Sequence, residues 1–124
     1  VQIGMKSVIR ILGAALVLAF CALAVSLHRA PTNLLLIYLI IGAISFFNYW
    51  RDKRAAEAGT QRVREASLHL GDLVFGIAGG LLAQALLRHK TSKSEFGTVS
   101  GAIAALHIVG LTLLILGFYD YPGL

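Results

Sequence analysis

Four long apolar runs constrain this chain more than any other feature. They cover residues 11–27, 34–50, 66–87 and 97–118, and polar segments separate them. Because about 20 apolar residues cross the hydrocarbon core of a bilayer as an α-helix, each run is a candidate transmembrane span. Backbone polar groups in lipid must pair internally, which favours helices for continuous runs of this kind. The sequence therefore predicts an all-α integral membrane protein, a compact bundle of four transmembrane helices in a single domain over residues 1–124.

The composition excludes an ordinary water-soluble domain. Of the 124 residues, 57% are hydrophobic and only 14% are charged, whereas soluble domains carry about 25% charged residues. A small soluble domain leaves a large share of its surface in water, so a chain this short cannot bury so many apolar side chains alone.

The net charge of +5 has two interpretations. A basic chain can indicate nucleic-acid binding, but Lys and Arg beside apolar spans mark the cytoplasmic face of a membrane protein and contact anionic headgroups. We therefore expect a bilayer with anionic headgroups as the partner, and no nucleic-acid contact. Lys6 and Arg10 precede the first span, which predicts a cytoplasmic N-terminus.

The ionisable residues concentrate in the middle of the chain. Five of the six acidic residues lie between Arg51 and Glu95, together with most of the Lys and Arg. Residues 51–65 form a polar, cytoplasmic connector, in which we predict a short interfacial helix that ends at Gly59, because glycine commonly terminates helices. Residues 88–95 form a second basic loop.

The path of the third run is open. A straight helix gives four crossings, and the basic residues then divide seven inside to four outside. If the run instead breaks at Gly79-Gly80 as a re-entrant hairpin, ten lie inside and only Arg29 lies outside, which satisfies the positive-inside rule better. Non-helical backbone at depth is tolerated only where protein or water covers it. We expect four crossings and keep the hairpin as the alternative.

The candidate polar site lies where the polar segments meet the spans. At 100° per residue, Glu65, His69 and Asp72 share one helix face, where they either hold a proton, a substrate or a metal, or pair with basic neighbours. No sequence motif indicates a metal centre, a cofactor or a catalytic nucleophile, so we expect none of these. The candidate set is Asp52, Lys53, Glu65, His69, Asp72, Arg88, His89 and Lys90.

Small residues predict where the helices pack, since they let helix backbones approach closely in lipid. The face of Asp72 continues through small residues, and the second span carries polar and small residues on one face as well. We expect these two faces to meet, and His107 to be a buried hydrogen-bonding residue between helices. The predicted packing glycines are Gly76, Gly79, Gly80, Gly97 and Gly101.

A series of motifs in the middle of the chain fits a known family. The motifs are Asp52-Lys53 with Ala56, then Arg62 or Arg64 with Glu65 and Leu68, then Gly79-Gly80, and last Arg88-His89-Lys90-Thr91 to Lys93 and Phe96. In this order and spacing they resemble the bacterial membrane-protein family catalogued as domain of unknown function 1294, over roughly residues 38–96. One departure is Arg64, where the family tends to have proline. The resemblance implies a bacterial inner-membrane location and names no reaction.

Three functions fit these features. The first, which we favour, is an accessory or scaffold protein that associates with itself or with a larger membrane complex. The second is a membrane enzyme or phospholipid-headgroup binder, in which basic residues such as Lys53 and Lys90 hold a phosphate. The third is a small dimeric transporter that uses Asp72, since ionisable groups inside a membrane are often functional.

Overall fold

The fold is built from five helices. The computed structural model describes residues 4–61, 63–87 and 94–117, and the regular structure in these ranges is entirely helical. The helices are α1 (Met5–Ser26), α2 (Thr32–Ala58), α3 (Glu65–Gly71), α4 (Ile77–Leu86) and α5 (Ser94–Ile115), with a π-helical segment, Asp72–Gly76, between α3 and α4.

Four helical segments are long and apolar enough to cross a membrane. They are Met5–Ser26, Thr32–Ala58, Glu65–Leu86 and Phe96–Ile115, which confirms the prediction of four apolar helical segments of membrane length. In the third segment half of the most apolar 18-residue window is buried inside the protein, against 22% or less in the other three. The third segment is therefore the centre of the bundle, and α1, α2 and α5 surround it.

The connector after the second span does not begin with a separate helix. α2 continues as one 27-residue helix to Ala58, because no residue after Trp50 interrupts it and alanine is a strong helix former. Gly59 then adopts a left-handed conformation (φ 72°) and ends the helix, as glycine commonly does. At about 1.5 Å per residue α2 is about 40 Å long, longer than a hydrocarbon core of about 30 Å.

The third segment is not the straight helix that we expect from the sequence: its backbone breaks at Val74 and Phe75, and the alternative position for a break, Gly79-Gly80, is wrong. Val74 has φ −88° and ψ 51°, and Phe75 has φ 74° and ψ 7°, whereas α4 runs without interruption through the glycine pair. A positive φ is unfavourable for a bulky side chain, so tertiary contacts must hold Phe75 in place. Its ring packs edge-on against Tyr38 and His107, at centroid distances of 5.2 and 5.6 Å.

Both ends of the third segment contact the same turn of α2. At the start, the backbone N–H of Val63 donates a hydrogen bond to Oδ1 of Asp52 (3.0 Å). At the end, Nζ of Lys53 donates one to the carbonyl of Leu87. Between these ends the segment reaches the level of Tyr38, about four turns away along α2. α3 therefore runs antiparallel to α2, and α4 returns parallel to it.

The glycine pair permits a close approach between α2 and α4. A Cβ atom on Gly79 would overlap the backbone carbonyl of Gly42 on α2. Glycine at this position therefore serves packing, in the way that small residues allow helix backbones to meet in membranes. α4 remains helical through the glycine pair, with α1 and α2 packed against it.

Two apolar clusters fill the space between the helices. One gathers around Tyr38 and Ile77, deep in the fold and close to the backbone break. The other gathers Tyr49, Leu68 and Phe96, near the two ends of the third segment. The third segment contributes residues to both clusters, so the packing of the whole bundle depends on its position.

Replacing Gly79 by Ala is expected to lower the free energy of unfolding by about 1–3 kcal/mol, because the added Cβ forces α2 and α4 apart. Gly110→Ala is the matched control: it lies in α5 with nothing within 4 Å of its Cβ position, and alanine favours helix over glycine. Denaturant titration in detergent micelles, followed by circular dichroism, measures both variants. Equal stability of the two proteins would contradict the close approach.

Candidate functional site

Asp72 and Asp52 are the fully buried ionisable side chains among the described members of the candidate set, and Asp72 lies deeper in the bundle. The two oxygens of Asp72 accept hydrogen bonds from Oγ of Ser45 and the hydroxyl of Tyr49, both at 2.6 Å. Ser45 and Tyr49 are one turn apart on α2 and so share a face. On the other side, a Cβ on Gly80 would overlap the carboxylate. The second glycine of the pair thus makes room for Asp72.

A chain of hydrogen bonds links Asp72 to a cation on α1. Nε2 of Gln84 donates to the hydroxyl of Tyr49 (3.2 Å) and to Oγ of Ser100 (3.0 Å). Nε of Arg10 donates to Oε1 of Gln84 (2.7 Å). We call Arg10, Gln84, Tyr49 and Asp72 the polar chain, in which each donor points toward the Asp72 carboxylate.

The direction of the donors explains how a carboxylate is accommodated among apolar helices. Moving an unpaired charge out of water is costly, and such groups pair inside membrane proteins. Because every donor from the Arg10 guanidinium onward points in the same sense, the hydrogen bonds of the chain polarise and strengthen one another. The polar chain therefore ties α1, α2 and α4 to the residue that precedes the backbone break.

Asp52 and Lys53 hold the two ends of the third segment. Asp52 is fully buried at the C-terminal part of α2, where it accepts the Val63 N–H, and Lys53 caps the Leu87 carbonyl. Helix ends leave carbonyl groups unsatisfied, and a lysine ammonium is a favourable partner for them. Both side chains thus act on the backbone of the third segment.

Glu65, His69 and Asp72, which the sequence places on one helix face, have different surroundings in the fold. Glu65 is half-buried at the start of α3, while Asp72 faces α2. The ring of His69 lies over Phe96 of α5, with centroids 4.1 Å apart and planes inclined by 32°. Within the ranges that the structure describes, no three His, Cys, Asp or Glu side chains are grouped closely enough to hold a metal ion.

The other predicted site residues divide into two groups. Arg88, His89 and Lys90 lie outside the described residues. Of the packing glycines, Gly79 and Gly80 lie in α4, Gly76 in the π-helical segment, and Gly97 and Gly101 in α5. A Cβ on Gly76 would crowd the side chain of Ser45, and a Cβ on Gly97 would crowd that of Arg10.

His107 supports the backbone break. Its Nδ1 accepts a hydrogen bond from the Tyr38 hydroxyl (2.6 Å), and its Nε2–H donates to the carbonyl of Leu73 (3.1 Å). A helix break leaves carbonyl groups without their usual partners, and His107 satisfies the one before Val74. The expected role of His107 as a hydrogen-bonding residue between helices is confirmed, but its side chain is half-buried and not buried as expected.

Sequence reasoning missed Arg10, Gln84 and Ser100 as members of the site. In the sequence, Arg10 indicates only the cytoplasmic side of the first span. Gln84 carried a usable signal, because an amide in the middle of an apolar run needs hydrogen-bond partners in lipid. Its partners, however, come from three different helices, which spacing along one helix does not reveal.

Residues 42–96 match the family described as "Protein of unknown function (DUF1294)". This match confirms the resemblance that the motifs indicate, over less than half of the chain. It covers α3, α4 and the part of α2 from Gly42 onward, so the Asp72 contacts with Ser45 and Tyr49 lie inside it, while Arg10 and Tyr38 lie outside. Comparison with curated proteins and with solved structures found no match.

We expect Asp72→Asn and Gln84→Leu to be energetically coupled, although the two side chains meet only through Tyr49. Residues of one hydrogen-bond network show coupling energies of about 0.5–3 kcal/mol. A double-mutant cycle of unfolding free energies in detergent measures this coupling. In a Tyr49→Phe background the link is absent, so the coupling is expected to vanish. Additive effects in the wild-type background would show that the polar chain does not act as a unit.

Proposed function

We propose that this protein is a small membrane scaffold that associates with itself, or with a larger membrane complex, through the lipid-facing side of α5. The observation that carries the proposal is an exposed pair of small residues, Gly101 and Ala105, in which a Cβ on the glycine would have nothing within 4 Å. Gly42, Gly79 and Gly80, by contrast, are occupied by contacts within the chain. The protein's own fold therefore uses those glycines and leaves Gly101 available.

The surface around Gly101 suits a second transmembrane helix. Gly101 and Ala105 are both exposed and lie one turn apart, which is the small-xxx-small spacing that lets helix backbones approach in lipid. A groove of about 410 Å³ between α1 and α5 adjoins them, and Gly97, Gly101 and Ala104 form one of its walls. The occupant that we propose first is α5 of a second copy.

We also propose that the third segment re-enters the side it left, so that three helices cross the membrane. The contacts of Asp52 and Lys53 with the two ends of the segment support this topology. With this path, ten Lys and Arg share one side and only Arg29 occupies the other, which satisfies the positive-inside rule. The N-terminus then lies in the cytoplasm, and we place the protein in a bacterial inner membrane.

An interfacial belt on α2 supports the same membrane position. Phe47 and Trp50 stack at 5.5 Å, and the guanidinium groups of Arg51 and Arg54 lie over these rings. Aromatic and basic residues gather at membrane–water interfaces in this way. From Trp50 to the level of Tyr38 is about 18 Å along α2, so the break lies somewhat past the middle of a core of about 30 Å.

The contacts of the ionisable residues favour a structural role over transport. Asp72 and His107 are the side chains that a transporter hypothesis would use, and both form hydrogen bonds within the chain that hold the third segment. The same holds for Lys53, which the enzyme hypothesis assigned to a phosphate and which bonds the Leu87 carbonyl.

Gly101→Leu is expected to reduce self-association at least tenfold, since a bulky side chain prevents close helix approach. Gly110→Leu is the matched control. It changes the same residue type in the same helix, also at a position with nothing within 4 Å, but nine residues, or about 180°, away. Energy transfer between labelled copies in lipid vesicles, measured over a range of protein-to-lipid ratios, gives the two dissociation constants.

Two outcomes would count against the proposal. Energy transfer that is equally weak for the wild-type protein and both variants would exclude self-association through α5. Equal loss in both variants would show that α5 tolerates no added bulk, without a specific surface at Gly101.

A further inference from the structure

A polar basin lies beside the interfacial belt and shares Arg51 with it. It has a volume of about 480 Å³ and is formed between the end of α2, the connector and α3. Its walls are formed by Arg51, Ala55, Gln61, Val63, Arg64 and Ser67.

The donors of this basin suit a phosphate group. Arg51 and Arg64 approach from different elements, and each guanidinium offers a planar pair of N–H donors that matches two phosphate oxygens. Gln61 and Ser67 add an amide and a hydroxyl. The carboxylates of Asp52 and Glu65 are not among the lining groups, so the basin presents positive charge and neutral donors.

An apolar surface continues from the basin along the outer face of α2. Phe47, Ile44 and Ile40 lie 4, 7 and 11 residues before Arg51, which places them on its face of the helix. Each is more than half exposed. The Arg51 guanidinium lies 5.9 Å from the centre of the Phe47 ring, so positive charge and apolar surface adjoin directly.

On the α3 side, too, an exposed apolar side chain adjoins the basin. Leu70 lies one turn after Ser67 and is 62% exposed, which gives the basin a second apolar neighbour. A ligand with a phosphate at one end and hydrocarbon chains at the other matches both parts of the surface. A soluble phosphate ester matches only the basin.

We propose that the basin between α2 and α3 binds the phosphate of an anionic phospholipid, with the acyl chains along Phe47, Ile44 and Leu70. The interfacial belt places the basin at the level where headgroup phosphates lie. The site is independent of the scaffold surface on α5, and its failure leaves the association proposal intact.

Trp50 is the only tryptophan of the chain and directly precedes Arg51, so it reports on lipids bound beside the basin. Quenching of its fluorescence by brominated phosphatidylglycerol and by brominated phosphatidylcholine in mixed micelles measures the preference for the anionic lipid. An arginine at an anionic surface contributes about a fivefold preference. We expect the double variant Arg51→Gln, Arg64→Gln to lose most of the preference for phosphatidylglycerol.

The matched control is the double variant Lys6→Gln, Arg29→Gln, which removes the same charge from residues that do not line the basin. It is expected to keep most of the preference. Quenching by the brominated phosphatidylcholine normalises each variant for changes around Trp50, and circular dichroism verifies helix content. Arg51→Lys, which keeps the charge and loses the paired donors, is a milder variant that is expected to lose part of the preference.

Three results would overturn the proposal. The first is a wild-type protein that is quenched equally by both lipids. The second is an equal loss of preference in the two double variants, which would indicate general surface charge. The third is displacement of the brominated lipid by millimolar inorganic phosphate, which would assign the basin to a soluble phosphate compound.

Discussion

The hydrogen-bonded carboxylate of Asp72 is the interaction on which the rest of the fold depends. Asp72 is fully buried and lies two residues before the backbone break, where the chain must reverse along α2. Ser45 and Tyr49 fix its two oxygens, and the absence of a side chain at Gly80 lets α4 close over it. One buried carboxyl group thus sets the spacing of three helical elements around the break.

Irregular backbone inside an apolar bundle requires cover and hydrogen-bond partners, and the surrounding helices supply both. Tyr38 from α2 and His107 from α5 enclose the ring of Phe75, and His107 also satisfies the carbonyl of Leu73. At the other end, Lys53 does the same for Leu87. The first role of the ionisable residues in the middle of the chain is therefore to stabilise the path of the backbone.

Much of this arrangement follows from local sequence signals, and the rest depends on tertiary contacts. The apolar runs predict the helices, and Gly59 predicts where the helical part of the connector ends, because both effects act over a few neighbouring residues. The separate interfacial helix predicted there is instead continuous with α2. The position of the break is different. Val74 and Phe75 carry no local signal for a turn, whereas a glycine pair is permissive and suggests one. Contacts with Tyr38 and His107 determine the break, and these come from distant parts of the sequence.

The most direct test of the account is the membrane side of the two ends of the third segment. Cys21 is the only cysteine, so Cys21→Ala gives a background for single cysteines at Gln61, before the segment, and at Lys90, three residues beyond Leu87. An impermeant maleimide applied to one face of oriented vesicles measures their accessibility, with Arg29→Cys as the opposite-side reference. The account predicts that Gln61→Cys and Lys90→Cys are labelled from the same side and Arg29→Cys from the other. Labelling of the first two from opposite sides would contradict it and establish a straight crossing.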